Sequence, residues 1–234
     1  MLFRKQNLTS EARQAFGLIR NPFDEPQSPE AVFLTPRSRY ARAALYDAAL
    51  NGNLLALVGE SGSGKTTLVR ELETRLVEAH PEVMIIKPYV LTMSQKDSGA
   101  GQPLRIRHIL EAILATVEPD SRRGGSAEAM SRRAHEALTR SSRAGNRHLL
   151  VIEEAHDMHV QTLKSLKRLW EMRDGLKRLL SIVLVGQTEL GDRLTSTSAD
   201  VREVVQRCDV VVLPPISDIA AFLRHRFASV GLDA

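Results

Sequence analysis

The stretch from residue 54 to 77, "LLALVGESGSGKTTLVRELETRLV", constrains the fold of this chain more than any other. Five apolar residues run straight into a loop that fits G-x-x-x-x-G-K-[ST] from Gly59 to Thr66, and the loop runs into a segment whose apolar residues recur three and four apart. A strand feeding a glycine-rich loop that opens a helix lets backbone N–H groups converge on phosphate oxygens. The helix aims the positive end of its dipole at the same point. Gly59, Glu60, Ser61, Gly62, Ser63, Gly64, Lys65, Thr66 and Thr67 are therefore the expected phosphate-binding residues. Lys65 would neutralise the β and γ charges of a nucleotide, and Thr66 would offer its hydroxyl to Mg²⁺.

The remainder of the chain agrees with a strand–helix alternation. "LLALV" (54–58), "VMIIK" (83–87), "HLLVI" (148–152), "LSIVLV" (180–185) and "DVVVL" (209–213) are short and almost continuously apolar, as strands covered on both faces are. Between them, residues 65–77, 104–117, 127–140 and 161–173 carry helical periodicity, and a further helix is expected at roughly 37–50. Loops are expected at 21–30, 94–103 and 119–126, where Gly, Ser and Pro collect. The fold class is thus α/β: a five-stranded parallel sheet sandwiched by helices. Residues 217–234 read as one last amphipathic helix.

Composition bounds the class. With 234 residues, 43% hydrophobic and 26% charged, the chain suits one large α/β domain or a domain with a small appendage. Cys208 is the only cysteine, so no intrachain disulfide forms, which suits a reducing compartment. No apolar run reaches membrane-spanning length, and "MLFRKQNLTS" lacks the apolar core of a signal peptide. The expectation is a cytoplasmic protein with no membrane partner. The net charge of +4 is unevenly placed, because residues 87–147 hold 11 Lys and Arg against 6 Asp and Glu. Such a local excess suits either a polyanion-binding face or a solvated helical surface.

Residues 151–156, "VIEEAH", drive an apolar strand into two adjacent carboxylates. A P-loop enzyme needs a second strand beside the first, ending in one acid near the metal and another near the attacking water. Glu153 fits the first role and Glu154 the second. "EEAH" lacks the two-histidine spacing of a zinc protease, and no His/Cys cluster supports a metal hydrolase.

With these motifs the chain resembles the AAA+ ATPases over residues 20–230, and within them the branch containing the transposition ATPases MuB, TnsC and IstB together with ExeA. The resemblance implies ATP and Mg²⁺ as cofactors. It divides the chain into an N-terminal extension (1–20), a nucleotide-binding core (21–215) and the start of a helical lid (216–234). "SIVLVGQTEL" (181–190) looks like the sensor-1 strand and places Gln187 where a polar side chain reads the γ-phosphate. "VVQRCDVVVL" (204–213) is similar to the arginine-finger segment, nominating Arg207 to reach a neighbour's nucleotide, with Arg202 in reserve. "NPF" supplies Asn21 and Phe23 near the base, and Arg224 and Arg226 lie in the lid segment without an assigned contact.

Two functional classes follow from the resemblance. One is an ATP-dependent regulator of transposition that forms a helical homo-oligomer on duplex DNA and recruits or stimulates a transposase. Its DNA contacts would come from the segment after the second strand, here Lys96, Arg105 and Arg107. The other is a secretion-assembly ATPase similar to ExeA, whose relatives usually continue into a membrane span and a peptidoglycan-binding region. The compact, mildly basic chain favours the first. A small-molecule kinase would share the P-loop, but the sensor-like and Arg-Cys segments argue against it.

Overall fold

The computed structural model describes residues 8–88, 104–120, 124–195 and 206–231. The principal elements are α1 (Ser10–Ala15), α2 (Pro36–Asn51), β1 (Leu54–Val58), α3 (Lys65–Ala79), β2 (Val83–Ile86), α4 (Ile106–Val117), α5 (Ala127–Arg143), β3 (Arg147–Ile152), α6 (Val160–Trp170), β4 (Arg173–Asp174), β5 (Lys177–Arg178), β6 (Ser181–Gly186), α7 (Thr188–Thr195), β7 (Cys208–Val212) and α8 (Ile219–Ala228).

Five strands form one sheet in the order β2-β3-β6-β1-β7. Every pairing in it is parallel. Alternate residues of each strand point to opposite faces, so the sheet builds two cores. Leu54, Ala56, Leu150, Ile152, Ile182 and Leu184 face the layer made by α4, α5, α6 and α7. Leu55, Leu57, Leu149, Val151, Val183 and Val185 face α2 and α3. The central strands β1 and β6 are buried at every residue, as their unbroken apolar runs require. The edge strands β2 and β7 are covered less completely, and Val212 on β7 is exposed.

The strands lie within one residue of the expected positions at each end. The helices differ more. The helix expected at 161–173 stops at Trp170, because residues 173–178 turn back as the small antiparallel pair β4–β5. Its return strand is fixed by Arg178, whose guanidinium stacks 3.5 Å over the Trp170 ring. On the other side, Arg143 makes a two-pronged contact to Asp174 at 2.7 and 2.8 Å. The helices α1 and α7 were not expected. The expected loop at 94–103 lies outside the described residues.

In a parallel sheet of this order, the chain leaves β1 toward one edge, returns through β3 and β6, and finishes on the far side of β1. Ligands bind such sheets in the crevice beyond the carboxyl ends of the strands, where the direction of winding reverses.

Candidate nucleotide site

That crevice holds the phosphate loop. Gly59 follows β1 directly and donates its N–H to Gly186 O at 3.3 Å, tying the loop to the end of β6. A Cβ on Gly59 would lie 2.3 Å from Leu213 O and 2.8 Å from Ser63 Oγ, so no other residue fits. Gly62 and Gly64 have φ of 81° and 96°, the left-handed region, and no atom stands within 4 Å of where their Cβ atoms would be. The loop therefore curls tightly against the sheet on one side and leaves an open cradle on the other. No side chain caps the first turn of α3, so its leading N–H groups are available to an anion. Lys65 folds over the cradle and donates from Nζ to Gly59 O (2.9 Å) and Glu60 O (2.7 Å). Burial lowers its pKa, and the Glu154 carboxylate works in the opposite direction. A loop into which Gly62 and Gly64 put no Cβ, a lysine over it and an uncapped helix end fit a nucleotide triphosphate.

Glu153 and Glu154 follow β3 immediately. Glu153 Oε1 is 3.2 Å from Lys87 Nζ, and the same lysine pairs with Glu73 at 2.6 Å. Glu154 is the one described non-glycine residue with positive φ, 51°. This conformation costs an L-residue about 1–2 kcal/mol. It follows the end of β3, and the two carboxylates meet different neighbours, Glu153 at Lys87 and Glu154 Oε2 3.5 Å from His156 Nδ1, which is how the chain tolerates two adjacent negative charges. Thr66 is exposed at the head of α3. Its hydroxyl and the Glu153 carboxylate are hard oxygen donors of the kind Mg²⁺ takes together with water and phosphate oxygens. The donor set fits that ion.

Gln187 is the first residue beyond β6, and β6 lies between β1 and β3. It therefore stands between the phosphate loop and the two acids. Its N–H is 3.4 Å from His156 Nδ1, and its carboxamide nitrogen is 3.3 Å from His156 Nε2. His156 belongs to a short 3₁₀ turn, Ala155–Asp157, anchored by Arg193, which donates to His156 O and Met158 O, both at 2.7 Å.

Beside the loop a cavity of about 330 Å³ is lined by Phe23, Val32, Phe33, Gly62, Thr67, Leu213 and Phe222, among others. Its size and apolar lining suit a nucleoside. Asn21 does not line it. Instead Asn21 Oδ1 accepts from Phe23 N at 3.1 Å, forming the turn that presents Phe23. The wall is completed by α8, on which Phe227 meets Phe23 edge-to-face and Phe222 meets Phe33. Arg226 is buried and donates to Pro22 O at 2.7 Å and also to Asp24 O. Burial lowers its pKa, with Arg20 adding to the effect and Asp24 opposing it. Arg226 thus joins the lid helix to the segment before the core.

Arg207 is not at this site. It precedes β7, whose first residue pairs with Leu54 at the start of β1, so a whole strand separates it from the phosphate loop. Five residues at about 3.3 Å each put the two roughly 16 Å apart. Arg207 is exposed among cations. Burial first, then the charges of Arg173 and Arg207, lower the pKa of Arg178. Arg202 and Lys96 lie outside the described residues. Arg105 is exposed just ahead of α4, and Arg107 in its first turn is paired with Glu111 at 3.0 Å. Among the described residues no His, Cys, Asp and Glu group forms a cluster that could hold a metal ion by itself.

Sequence reasoning missed Lys87, Arg193 and the role of His156. Lys87 ends an apolar run as Glu153 does, and that shared signal could have found it. Nothing in the sequence places Arg193 against residues more than thirty positions away.

Residues 49–194 match the family model described as the AAA domain. General secretion pathway protein A of Aeromonas hydrophila is 27% identical over 222 residues, which cover 93% of this chain and 38% of that protein. Solved structures share the fold. Cdc6p of Pyrobaculum aerophilum superposes with a TM-score of 0.61 at 18% identity, over 93% of this chain and 53% of that one. The ORC2 protein of Aeropyrum pernix, solved with ADPNP and ADP, does so with a TM-score of 0.59 at 20% identity, over 88% of this chain and 55% of its own. The chain thus spans well under half of the curated relative it matches.

Proposed function

Because the chain belongs to the AAA domain family of P-loop ATPases, we propose that it is a Mg²⁺-dependent, ATP-hydrolysing regulator of DNA transposition that assembles with itself on duplex DNA. The observation that carries the ATPase part is the meeting of Lys65, Glu153, Glu154 and Gln187 beyond the carboxyl ends of β1, β3 and β6. Lys65 and the uncapped N–H groups of α3 hold the β- and γ-phosphates. Glu154 accepts a proton from the attacking water as the water oxygen bonds to the γ-phosphorus and the bond to the bridging oxygen breaks, releasing ADP. Thr66 and Glu153 would hold Mg²⁺, which supplies charge neutralisation along the phosphates. Gln187 donates to a γ-phosphate oxygen. Phe23 covers the base, and Asn21 sets its position.

Self-assembly is supported by the position of Arg207, which is a strand's length from the P-loop of its own chain and so serves the nucleotide of another copy. We take residues 21–215 as the core, 216–234 as the beginning of the lid and 1–20 as an extension. The DNA partner is supported by the excess of basic residues between 87 and 147 and by the resemblance to transposition ATPases. Lys96, Arg105 and Arg107 are the assigned contacts, reading phosphates rather than bases. A transposase is the partner that the assembled form recruits, and the cytoplasm is the compartment assigned to it.

A second reading is favoured by the likeness to General secretion pathway protein A: an ATPase that drives assembly of a secretion apparatus. Imaging of the protein with duplex DNA separates the two. Filaments that form on DNA with ATP and not with ADP support the first reading, and their absence at saturating ATP moves the second ahead.

A further inference from the structure

His156 lies between the two residues assigned to act on the γ-phosphate and its water. Its side chain is only 14% exposed. Nδ1 lies 3.4 Å from the Gln187 N–H and 3.5 Å from Glu154 Oε2. Nε2 lies 3.3 Å from the Gln187 carboxamide nitrogen and 3.9 Å from Asp157 Oδ1.

A backbone N–H only donates, so Nδ1 facing it accepts, and the ring proton sits on Nε2. Nε2–H then needs an acceptor. The two ends of a glutamine carboxamide are told apart only by the hydrogen bonds around them, and two donors do not face each other. The Gln187 carbonyl oxygen therefore belongs against Nε2, and the carboxamide –NH₂ is the end left free. Both ring nitrogens are then spent on one residue, one on its backbone and one on its side chain. With Nδ1 accepting, Glu154 Oε2, 3.5 Å away, receives no hydrogen bond from the ring and is left to the water.

We infer that His156 is a positioning residue that fixes the orientation of the Gln187 carboxamide, so that its donor end rather than its carbonyl faces the γ-phosphate. The inference rests on the ATPase reading above and adds to it the residue that sets the polarity of the phosphate-reading amide. A freely turning carboxamide would present oxygen to an anion in half of its orientations. Three features fix the backbone from which the ring projects: Arg193 grips the carbonyls of His156 and Met158, Gly186 leaves only 3.2 Å between an added Cβ and the His156 backbone nitrogen, and the turn at Glu154 starts the segment.

Two measurements test this. Long-range ¹H–¹⁵N correlation spectra of the histidine side chains, with and without a slowly hydrolysed ATP analogue, should show His156 protonated on Nε2. A ring protonated on Nδ1 overturns the inference whatever the enzyme's activity. For kinetics, His156→Phe keeps the ring volume and removes both nitrogens. It should lower kcat about tenfold while the ATP dissociation constant stays within about twofold, the effect of losing one orienting hydrogen bond. Gln187→Ala should cost at least as much, and the double variant should be no slower than Gln187→Ala alone, because His156 acts only through Gln187. Losses that multiply in the double variant, or an unchanged kcat in His156→Phe, overturn it. Glu154→Gln serves as the separate control: if that variant hydrolyses ATP at the parental rate, the ATPase reading of the site fails, while the tautomer result still decides the orientation of Gln187.

Discussion

Lys87 at the end of β2 is ion-paired with Glu153 just beyond β3, Nζ to Oε1 at 3.2 Å, so the carboxylate assigned to Mg²⁺ already has a cation beside it. Burial disfavours the charged lysine, yet Glu73 and Glu153 together raise its pKa. A Mg²⁺ ion held by Glu153 would have to compete with this lysine for the carboxylate. Lys87→Ala should therefore lower the Mg²⁺ concentration that gives half-maximal ATPase activity, by up to about fivefold, since a half-exposed pair of this kind is worth at most ~1 kcal/mol. Mg²⁺ titrations of the two proteins check this, and an unchanged or higher requirement counts against the assignment of Glu153.

The phosphate site separates binding from turnover. Lys65→Ala should abolish ATP binding measured by fluorescent-nucleotide titration. Glu154→Gln should bind ATP normally and lose kcat by about 10²-fold or more. Glu153→Asp should retain activity, since Asp keeps the carboxylate and shortens its reach by about 1.5 Å. Parental turnover in Glu154→Gln would remove it as the general base.

Hydrolysis should need a neighbour. With Arg207 a strand's length from its own P-loop, ATPase activity per chain should rise with protein concentration, and Arg207→Ala should lose ~10³-fold in kcat. Arg207→Ala mixed with Glu154→Gln should recover activity, because the second variant lends a finger to the intact sites of the first. Failure to recover at any ratio, with both proteins folded, speaks against a finger in trans.

DNA binding should require ATP, ignore sequence and weaken steeply with salt. Each phosphate contact contributes about −0.9 to the slope of log K against log salt. Arg105→Ala with Arg107→Ala should flatten that slope without altering ATP binding. Arg105 should account for the larger share, since Arg107 gives up its pairing with Glu111 to reach a phosphate. Anisotropy of labelled duplex across a salt series measures both, and an unchanged slope places the DNA path elsewhere.

Arg226→Ala should destabilise the fold by ~1–3 kcal/mol, because it strands the buried carbonyl of Pro22 and removes the hydrogen bond to the Asp24 carbonyl. It should also weaken ATP binding, since the segment carrying Phe23 and Phe33 loses its anchor to α8. Arg224→Ala, at an exposed position of the same helix, should leave both unchanged. Thermal denaturation and nucleotide titration of the pair distinguish a clasp from a phosphate-reading arginine.

How much of this was legible in the sequence depends on the range of the contacts involved. The strands stood out because β1 and β6 are buried on both faces, and residues such as Leu54–Val58 carry that burial in their own identities. The phosphate loop was legible because three glycines and a lysine at fixed spacing meet a local need. The helix was carried on to Arg173 because "EMR" extends the charged pattern of α6, the β4–β5 pair that follows was given no element, and only the stacking of Arg178 on Trp170 shows the reversal. α7 is short and carries Gly191, so its helical pattern was weak in isolation. The tie between His156 and Gln187 spans 31 residues and the one between Arg226 and Pro22 spans 204, and no local pattern announces either.

The placement of the P-loop beyond one end of the sheet and Arg207 at the other gives any head-to-tail assembly a direction. If Arg207 serves a neighbour's nucleotide as proposed, every subunit but one in an open row of copies would receive an arginine, so completed sites would number one fewer than subunits. The terminal copy would keep its ATP while the interior spent its own. A row that stopped growing would be left with ADP behind a single ATP-bearing tip. Its lifetime would then be set by the fate of one nucleotide rather than by the average over all of them.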